Sequence, residues 1–112
     1  MDKSKKTHYR LPRTRVLKKS LEIRDVLTTG VRIPGKNLNL FTKTANGKQF
    51  AVLTPKRVGN AVKRNKMKRL IREIYRTHPE WFDNMKVIVF VKRYIPHFST
   101  LESEVRKLVT RI

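Results

Sequence analysis

The sequence has no cysteine and very few acidic residues. Its 112 residues include 8 Asp and Glu against 28 Lys and Arg, which gives a formal net charge of +20 at pH 7. The lack of cysteine excludes disulfide bonds, zinc sites with thiolate ligands and thiol nucleophiles. Because so many like charges repel one another in a compact chain, the composition predicts a polyanionic partner.

Long apolar segments are also missing. The longest uninterrupted run is residues 87–91, Val-Ile-Val-Phe-Val, which is far too short to cross a membrane. Residues 1–19 are basic and lack the apolar stretch of a secretory signal. We therefore expect no membrane partner and a cytoplasmic protein, with residues 1–12 as a flexible basic tail. A mitochondrial transit peptide is the alternative for this segment.

Hydrophobic periodicity predicts three helices. The first lies between Ser20 and Gly30 and has apolar residues at helical spacing on one face. The second, residues 60–77, has Met67, Leu70, Ile71 and Ile74 at helical spacing. The third is predicted to begin at the capping box Ser99-Thr100-Leu101-Glu102.

Three strands are predicted between these helices. Leu38 and Leu40 alternate with asparagines, which indicates a strand with one apolar face. Asn46-Gly47 predicts a hairpin turn that leads into a return strand, Gln49–Thr54. The apolar run within residues 86–92 does not alternate, so it predicts a strand buried on both faces. The order α-β-β-α-β-α predicts a single α+β domain, a sandwich of helices against a small sheet.

The segment from Lys56 to Arg76 combines the second helix with nine basic residues and one acid, Glu73. At about 100° per residue, Arg69, Arg72 and Arg76 would lie opposite the apolar stripe. An ordinary solvated helix face mixes Glu with Lys at i, i+4, because such pairs stabilise the helix. The near absence of acids therefore favours a face that binds anions over one that is merely solvated.

The start of this helix has features of its own. Gly59 would let the backbone approach a ligand closely, and Asn60 can cap the helix. Lys63 and Arg64 fall on the core side of the helix, so we expect the first turn to project past the core and leave both bases free. A helix start also presents unpaired N–H groups, which suit a phosphate. An ordinary capped turn is the alternative for Gly59 and Asn60.

Catalytic groups are not evident in the sequence. The acids are too dispersed to hold two metal ions, and Glu73 is expected to pair with a nearby base. The three histidines, His8, His78 and His97, stand next to turns or the tail, where we expect them on the surface. We therefore expect neither catalytic nor metal-binding residues in this chain, and a binding role in preference to that of a self-sufficient nuclease.

Residues 56–73, Lys-Arg-Val-Gly-Asn-Ala-Val-Lys-Arg-Asn-Lys-Met-Lys-Arg-Leu-Ile-Arg-Glu, resemble the signature of the protein subunit of bacterial ribonuclease P. That family carries Gly-Asn-Ala, an Arg-Asn-Arg-type run and Lys-Arg-Leu-Ile-Arg on one helix. The run here is Arg64-Asn65-Lys66, in which lysine keeps the charge of the final arginine without its fork of donors. The resemblance extends from about Arg13 to Ile112.

The resemblance implies a fold similar to the second domain of a small-subunit ribosomal protein, with a left-handed βαβ crossover. It implies that residues 1–112 form a single RNA-binding domain, the protein component of an RNA-based endoribonuclease that hydrolyses a phosphodiester. In that family the RNA subunit, with Mg²⁺ held mainly by this RNA and the substrate, removes the 5′ leader of precursor tRNA. The implied partners are the catalytic RNA and precursor tRNA, with no protein partner required and no catalysis by the chain alone.

The charge pattern and the resemblance together predict which residues contact RNA. The predicted RNA-binding residues are Lys56, Arg57, Asn60, Lys63, Arg64, Asn65, Lys66, Lys68, Arg69, Arg72 and Arg76. The resemblance also implies a cleft for the single-stranded leader between the first helix and the sheet, with Phe41 beside it. Ile23 and Leu27 stand where family members often have Phe. Aliphatic side chains cannot stack on bases, so an ordinary core role is the alternative for these two.

Two other functions are compatible with the net positive charge. A ribosomal or translation-related RNA-binding protein could use the same basic helix, without any effect on precursor tRNA. A DNA-binding module could use residues 61–77 as a recognition helix, but such motifs place another helix before it at a tight turn. The sequence predicts strands there instead.

Overall fold

The structure, a computed structural model, describes residues 20–112, so the predicted basic tail of residues 1–12 lies outside it. The described chain forms three helices, four strands and two short 3-10 turns. In chain order these are α1 (Ser20–Thr29), β1 (Val31–Pro34), β2 (Leu38–Thr44), β3 (Gln49–Leu53), a 3-10 turn (Lys56–Val58), α2 (Ala61–Thr77), a second 3-10 turn (Pro79–Phe82), β4 (Met85–Val91) and α3 (Phe98–Val109).

The strands form one mixed sheet in the order β1-β2-β4-β3. Strands β3 and β4 are parallel and are joined through α2, while the other pairs are antiparallel. The predicted α+β class is confirmed, with β1 as an additional strand. Four residues between Gly30 and Gly35 that end in Pro34 carry the signature of a loop, which is why the sequence did not indicate β1. The hand of the β3-α2-β4 crossover stays a prediction.

The predicted hairpin at Asn46-Gly47 is wrong, because β2 and β3 do not pair with each other. Strand β4 lies between them, and its Ile88 pairs with Phe41 on one side and Ala51 on the other. Gly47 has the positive φ of 93° that a turn requires, but the turn joins strands that are not neighbours. β4 is apolar in both side-chain directions, so the central position is the one in which both of its faces are covered.

Helices α2 and α3 cover one face of the sheet and form the larger hydrophobic cluster with it. Tyr75 of α2 stacks on Phe50 of β3 with ring centroids 4.1 Å apart. The rings of Tyr75 and Phe82 are also stacked, with centroids 5.6 Å apart. The predicted apolar stripe of α2 is confirmed. Its buried members are Met67, Ile71, Ile74 and Tyr75. Since full burial of one such side chain contributes about 1.5–3 kcal/mol, this stripe fixes which side of α2 faces outward.

Helix α1 covers the opposite face of the sheet. Its Val26 is fully buried against Ala51 of β3 and Ile88 of β4. Gly30 ends the helix, and its N–H donates to the carbonyl oxygen of Val26 at 2.9 Å. A Cβ at Gly30 would lie 2.5 Å from that oxygen, so the close approach requires glycine here.

Helix α3 begins at Phe98, and the predicted capping box is wrong. Ser99 lies inside the helix, and the capping residue His97 makes no side-chain cap hydrogen bond. The carboxylate of Glu102 instead binds Nε2 of His78 at 2.7 Å. A tertiary partner has therefore taken the carboxylate that the box would use, and Phe98 extends the helix because it packs on the larger cluster.

Glu104 of α3 holds the loop between β1 and β2. Its Oε2 accepts from the backbone N–H groups of Asn37 and Leu38, both at 2.8 Å, and its Oε1 accepts from the side-chain amide of Asn37 at 2.8 Å. Lys92, just after β4, donates its Nζ to the carbonyl of Gly35 at 2.9 Å. These bonds tie the loop between β1 and β2 to α3 and to the end of β4.

None of the helices formed by residues 20–112 is both long and apolar enough to cross a membrane.

Candidate nucleic-acid interface

The end of β3 sets the position of the α2 start. Pro55 follows the strand, a 3-10 turn comes next, and Gly59 joins it to the helix with φ 152°. A Cβ at Gly59 would lie 2.8 Å from Cδ of Lys63, so glycine leaves room for that side chain to fold back. Asn60 caps the helix as predicted, because its Oδ1 accepts from the N–H of Lys63 at 3.0 Å.

The expectation that Lys63 and Arg64 project freely past the core is only half right. Lys63 is exposed, but its Nζ lies 5.3 Å from the centroid of the Tyr94 ring, a cation–π contact. Arg64 is partly buried, and its Nε is enclosed without an acceptor among the described residues. Both side chains therefore lie close to the body of the protein, because they are on the side of α2 that carries its apolar stripe.

Three basic residues on the outward face of α2 have no carboxylate partner within residues 20–112. Lys66, Arg69 and Arg72, which we call the basic face, are exposed and form no ion pair there. Asn65 beside them is exposed too, while Lys68 is partly buried. The helix thus presents three exposed cations on its outward side, which suits contacts with the phosphates of a nucleic acid.

The last turn of α2 differs from the basic face. Arg76 binds Glu73 through two bonds, Nε to Oε1 at 3.1 Å and Nη2 to Oε2 at 2.5 Å. The hydrogen bond from Arg76 lowers the pKa of Glu73, and the same bond raises the pKa of Arg76. The predicted pairing of Glu73 with a nearby base is confirmed. Among Arg69, Arg72 and Arg76, Arg76 is therefore the one that forms an ion pair in the described structure.

Most carboxylates of the described chain are engaged in the same way. Asp25 binds Lys43 at 2.5 Å, and this hydrogen bond lowers the pKa of Asp25. Asp83 binds Lys48 at 2.9 Å. Within residues 20–112, no three His, Asp or Glu residues come together to hold a metal ion.

His78 is not the surface residue that the sequence suggested. It lies half-buried between Glu102 and Glu80, and its ring stacks on Trp81 with centroids 3.8 Å apart. His97 is exposed as expected, and His8 lies outside the described residues. The sequence did not reveal the environment of His78 because its partners come from a different helix and turn.

The fold adds basic and aromatic residues to the edge where α2 begins. Because β3 and β4 are parallel, Lys56 and Arg57 after β3 come to the same edge as Arg93 and Tyr94 after β4. The guanidinium of Arg57 lies 5.8 Å from the ring centroid of Phe90 in β4. Sequence reasoning missed Arg93, Tyr94 and Phe90. A basic–aromatic run directly after a strand parallel to β3 was the signal that could have found them.

The three residues predicted for the leader come together in the structure. Phe41 of β2 and Ile23 and Leu27 of α1 are partly buried side chains of the smaller hydrophobic cluster around Val26 and Ile88. They line the junction between α1 and the sheet, as the resemblance implied. Ile23 and Leu27 also help to hold α1 on the sheet, so their packing role is present whether or not they contact a leader.

Comparison with known proteins gives consistent results. A protein-family model for ribonuclease P matches residues 11–112. Ribonuclease P protein components are 35% identical in Desulfotalea psychrophila, over 76% of this chain and 72% of the relative, and 37% identical in Dictyoglomus turgidum, over 75% and 73%. The solved RNase P protein of Staphylococcus aureus has the same fold, with a TM-score of 0.77 at 20% identity over 87% of this chain and 94% of that one. This chain, with its capped basic helix on a mixed four-stranded sheet, belongs to the ribonuclease P protein component family.

Proposed function

We propose that this chain is the protein subunit of a ribonuclease P. It binds the catalytic RNA through the basic face and the start of α2, and it binds the 5′ leader of precursor tRNA at the junction of α1 and the sheet. In doing so it assists the endonucleolytic removal of the leader by the RNA subunit in the cytoplasm. The observation that carries this proposal is the basic face, whose three exposed cations have no carboxylate partner in the described chain.

Besides the basic face, the proposed RNA contacts include a second group at the start of α2. Lys56, Arg57, Lys63 and Arg64 surround the start of α2, where the helix presents unpaired N–H groups and the positive end of its dipole to a phosphate. Asn60 uses its Oδ1 for the cap, so an RNA contact there would come from its Nδ2. With about six to eight phosphate contacts, the logarithm of the binding constant should fall with the logarithm of salt with a slope of roughly −5 to −7.

We assign Mg²⁺ to the RNA subunit and the substrate. Within residues 20–112, Lys, Arg or His side chains bind the carboxylates of Asp25, Glu73, Asp83 and Glu102, and backbone N–H groups bind that of Glu104. When bound by RNA, the ion supplies charge stabilisation for the phosphodiester hydrolysis. The protein contributes positioning and neutralises RNA charge, which lowers the Mg²⁺ concentration that the RNA needs.

Reconstitution tests the proposal. The purified chain is mixed with a bacterial catalytic RNA, and cleavage of precursor tRNA is measured at low Mg²⁺, where the RNA alone is slow. We expect rescue of 5′ processing and a higher affinity for precursor tRNA than for mature tRNA. No rescue would contradict the function and favour another RNA-binding role. Cleavage by the chain without RNA would overturn the assignment of catalysis to RNA.

A further inference from the structure

Val62, in the first turn of α2, is an apolar side chain that the protein leaves in solvent. It is 77% exposed, the most of the large hydrophobic side chains within residues 20–112, and it belongs to neither hydrophobic cluster. At about 100° per residue, Val62 lies within about 40° of Lys66 and Arg69 and opposite the buried Ile71. Val62 therefore stands in line with the basic face, one turn nearer the start of the helix.

This valine contributes little to the free protein. It buries no part of the core, and a β-branched side chain is a weaker helix former than alanine or lysine. Single exposed apolar side chains are common on protein surfaces, so exposure alone would not indicate a function. The position of Val62 among cations is the feature that indicates one.

The neighbours of Val62 leave it accessible. Asn60 and Ala61 before it are exposed, uncharged and short. Lys63 after it lies against the body of the protein, with its Nζ 5.3 Å from the centroid of the Tyr94 ring. Ala61 and Val62, which we call the apolar tip, thus form a small apolar surface with basic residues on both sides of it along the chain.

The charge around the apolar tip favours RNA as its partner. A second copy of this chain, which also carries +20, would be repelled, whereas a phosphate backbone would be attracted. In RNA the phosphates alternate with riboses, and the wide, shallow minor groove of an A-form helix exposes these sugars. A cationic surface that binds the phosphates therefore brings an apolar group beside it within reach of the ribose C–H groups.

From these observations we propose that the apolar tip packs against ribose groups of the catalytic RNA while Lys66 and Arg69 bind the phosphates beside them. This inference rests on the proposed function and deepens it, because it assigns part of the affinity to a contact that does not depend on salt. Phosphate contacts hold a protein on any RNA, whereas the apolar contact forms only where the shape of the RNA brings sugars to the tip. Val62 is therefore a residue by which the protein distinguishes the catalytic RNA from other structured RNA.

The test measures binding of the full chain and of Val62→Ala to a bacterial catalytic RNA over a range of salt concentrations. Val62→Ala shortens the apolar side chain and leaves every charge in place. We expect affinity to fall about fivefold, as partial burial of two methyl groups would give. Because no phosphate contact is lost, the plots of the logarithm of the binding constant against the logarithm of salt should run parallel. Affinity for a ribosomal RNA fragment of similar length should fall by about twofold or less, since that binding rests on charge.

Two further variants make the result specific. Leu21→Ala shortens a similarly exposed apolar side chain on α1, 76% exposed, and it should leave the affinity for both RNAs unchanged. Lys66→Ala removes a cation one turn after Val62, and it should make the salt slope less steep by about 0.7–0.9, which Val62→Ala should not do. Equal affinity of Val62→Ala and the wild type for the catalytic RNA would overturn the inference. Equal losses for the two RNAs, or a salt slope changed as in Lys66→Ala, would overturn it too.

The outcomes also separate this inference from the proposed function. If the wild type binds the catalytic RNA and rescues 5′ processing, and Val62→Ala does both equally well, only the inference fails. If the wild type does not prefer the catalytic RNA to the ribosomal fragment, the inference and the proposed function both fail. The unfolding temperature of free Val62→Ala should equal or exceed that of the wild type, because alanine is the better helix former. If another segment of this chain covers Val62 instead, that temperature falls and the affinity for RNA stays unchanged, which also overturns the inference.

Discussion

The middle and the last turn of α2 contain similar basic residues in different surroundings. Along the basic face, the exposed side chains of Lys66, Arg69 and Arg72 form no ion pair within the described chain. One turn later, Arg76 is also exposed but is bound by Glu73 through two hydrogen bonds. A charged side chain that is already paired within the protein gains less binding free energy from a phosphate, because the existing pair must be broken first.

The difference continues past the helix. Beyond Arg76 the chain forms a region where acids cluster, with His78 between Glu80 and Glu102 and with Asp83 bound to Lys48. We call this region, together with Glu73 and Arg76, the paired end. Of the seven acidic residues within residues 20–112, Glu73, Glu80, Asp83 and Glu102 thus lie in the paired end, and none forms an ion pair with the basic face. The position of the acids, and not the number of bases, distinguishes the surface that can take up phosphate from the surface that serves stability.

The largest expected effect comes from removing cations of the basic face. Arg69→Ala combined with Arg72→Ala deletes two phosphate contacts and leaves the apolar stripe intact. We expect affinity for the catalytic RNA to fall by about 2 kcal/mol, roughly thirtyfold. The salt slope should become less steep by about 1.5, since each phosphate contact adds about 0.7–0.9. Filter binding or fluorescence anisotropy at several salt concentrations measures both quantities.

The control for this prediction removes equal charge elsewhere. Arg106→Ala combined with Lys107→Ala changes two exposed cations of α3, next to the paired end, and should change affinity and slope much less. Equal losses of affinity in the two double variants would mean that net charge alone drives binding. The distinction between the basic face and the paired end would then be wrong.

A smaller effect is expected at the cap that starts α2. Asn60→Ala removes the acceptor for the Lys63 N–H, and loss of such a cap costs about 1 kcal/mol of folding free energy. Chemical denaturation followed by circular dichroism measures this. Asn60→Asp keeps the acceptor and serves as the control for stability. If Asn60→Ala were as stable as the wild type, the cap would not be what fixes the helix start.

Local patterns predicted α2 well, because a helix is specified by residues three and four apart. The stripe of Met67, Ile71 and Ile74 follows from the sequence alone, as does the pairing of Glu73 with a nearby base. The strand order did not follow, because pairing depends on residues far apart in the chain. The Asn46-Gly47 turn has hairpin chemistry, yet the apolar β4, nearly forty residues later, inserts between the strands it joins.

The same difference between local patterns and contacts of residues far apart in the chain applies to the candidate site. The basic face could be predicted because its residues lie on one helix in which Glu73 is the only acid. That Arg57 meets Phe90, and Lys63 meets Tyr94, could not, because these contacts exist only once β3 and β4 are parallel. The burial of Arg64 was missed for a related reason, since the first turn of α2 leans on the loop after β4 instead of extending past it.

Glu73→Gln converts part of the paired end into an extension of the basic face. The substitution frees Arg76 and leaves the helix otherwise intact. We expect affinity for the catalytic RNA to rise about twofold to threefold and the salt slope to steepen by about 0.7–0.9, the share of one phosphate contact. Glu80→Gln removes the same charge but frees no arginine, so it should change the slope less. An identical effect of the two variants would show that Arg76 cannot reach the RNA.

The smallest effect is the pH dependence of the same pair. The pKa of Glu73 is lowered in the folded protein, from an ordinary value of 4.5, by its hydrogen bond from Arg76. The pair therefore contributes its full stability above that ordinary value and loses it as the pH falls through the lower, folded-state pKa. The unfolding temperature of the wild type should exceed that of Glu73→Gln slightly near neutral pH, and the difference should shrink to nothing in acid. A difference independent of pH would assign the effect to packing. In Arg76→Met, the pKa of Glu73, followed by NMR, should return towards 4.5, because its carboxylate has then lost the donor that holds it charged.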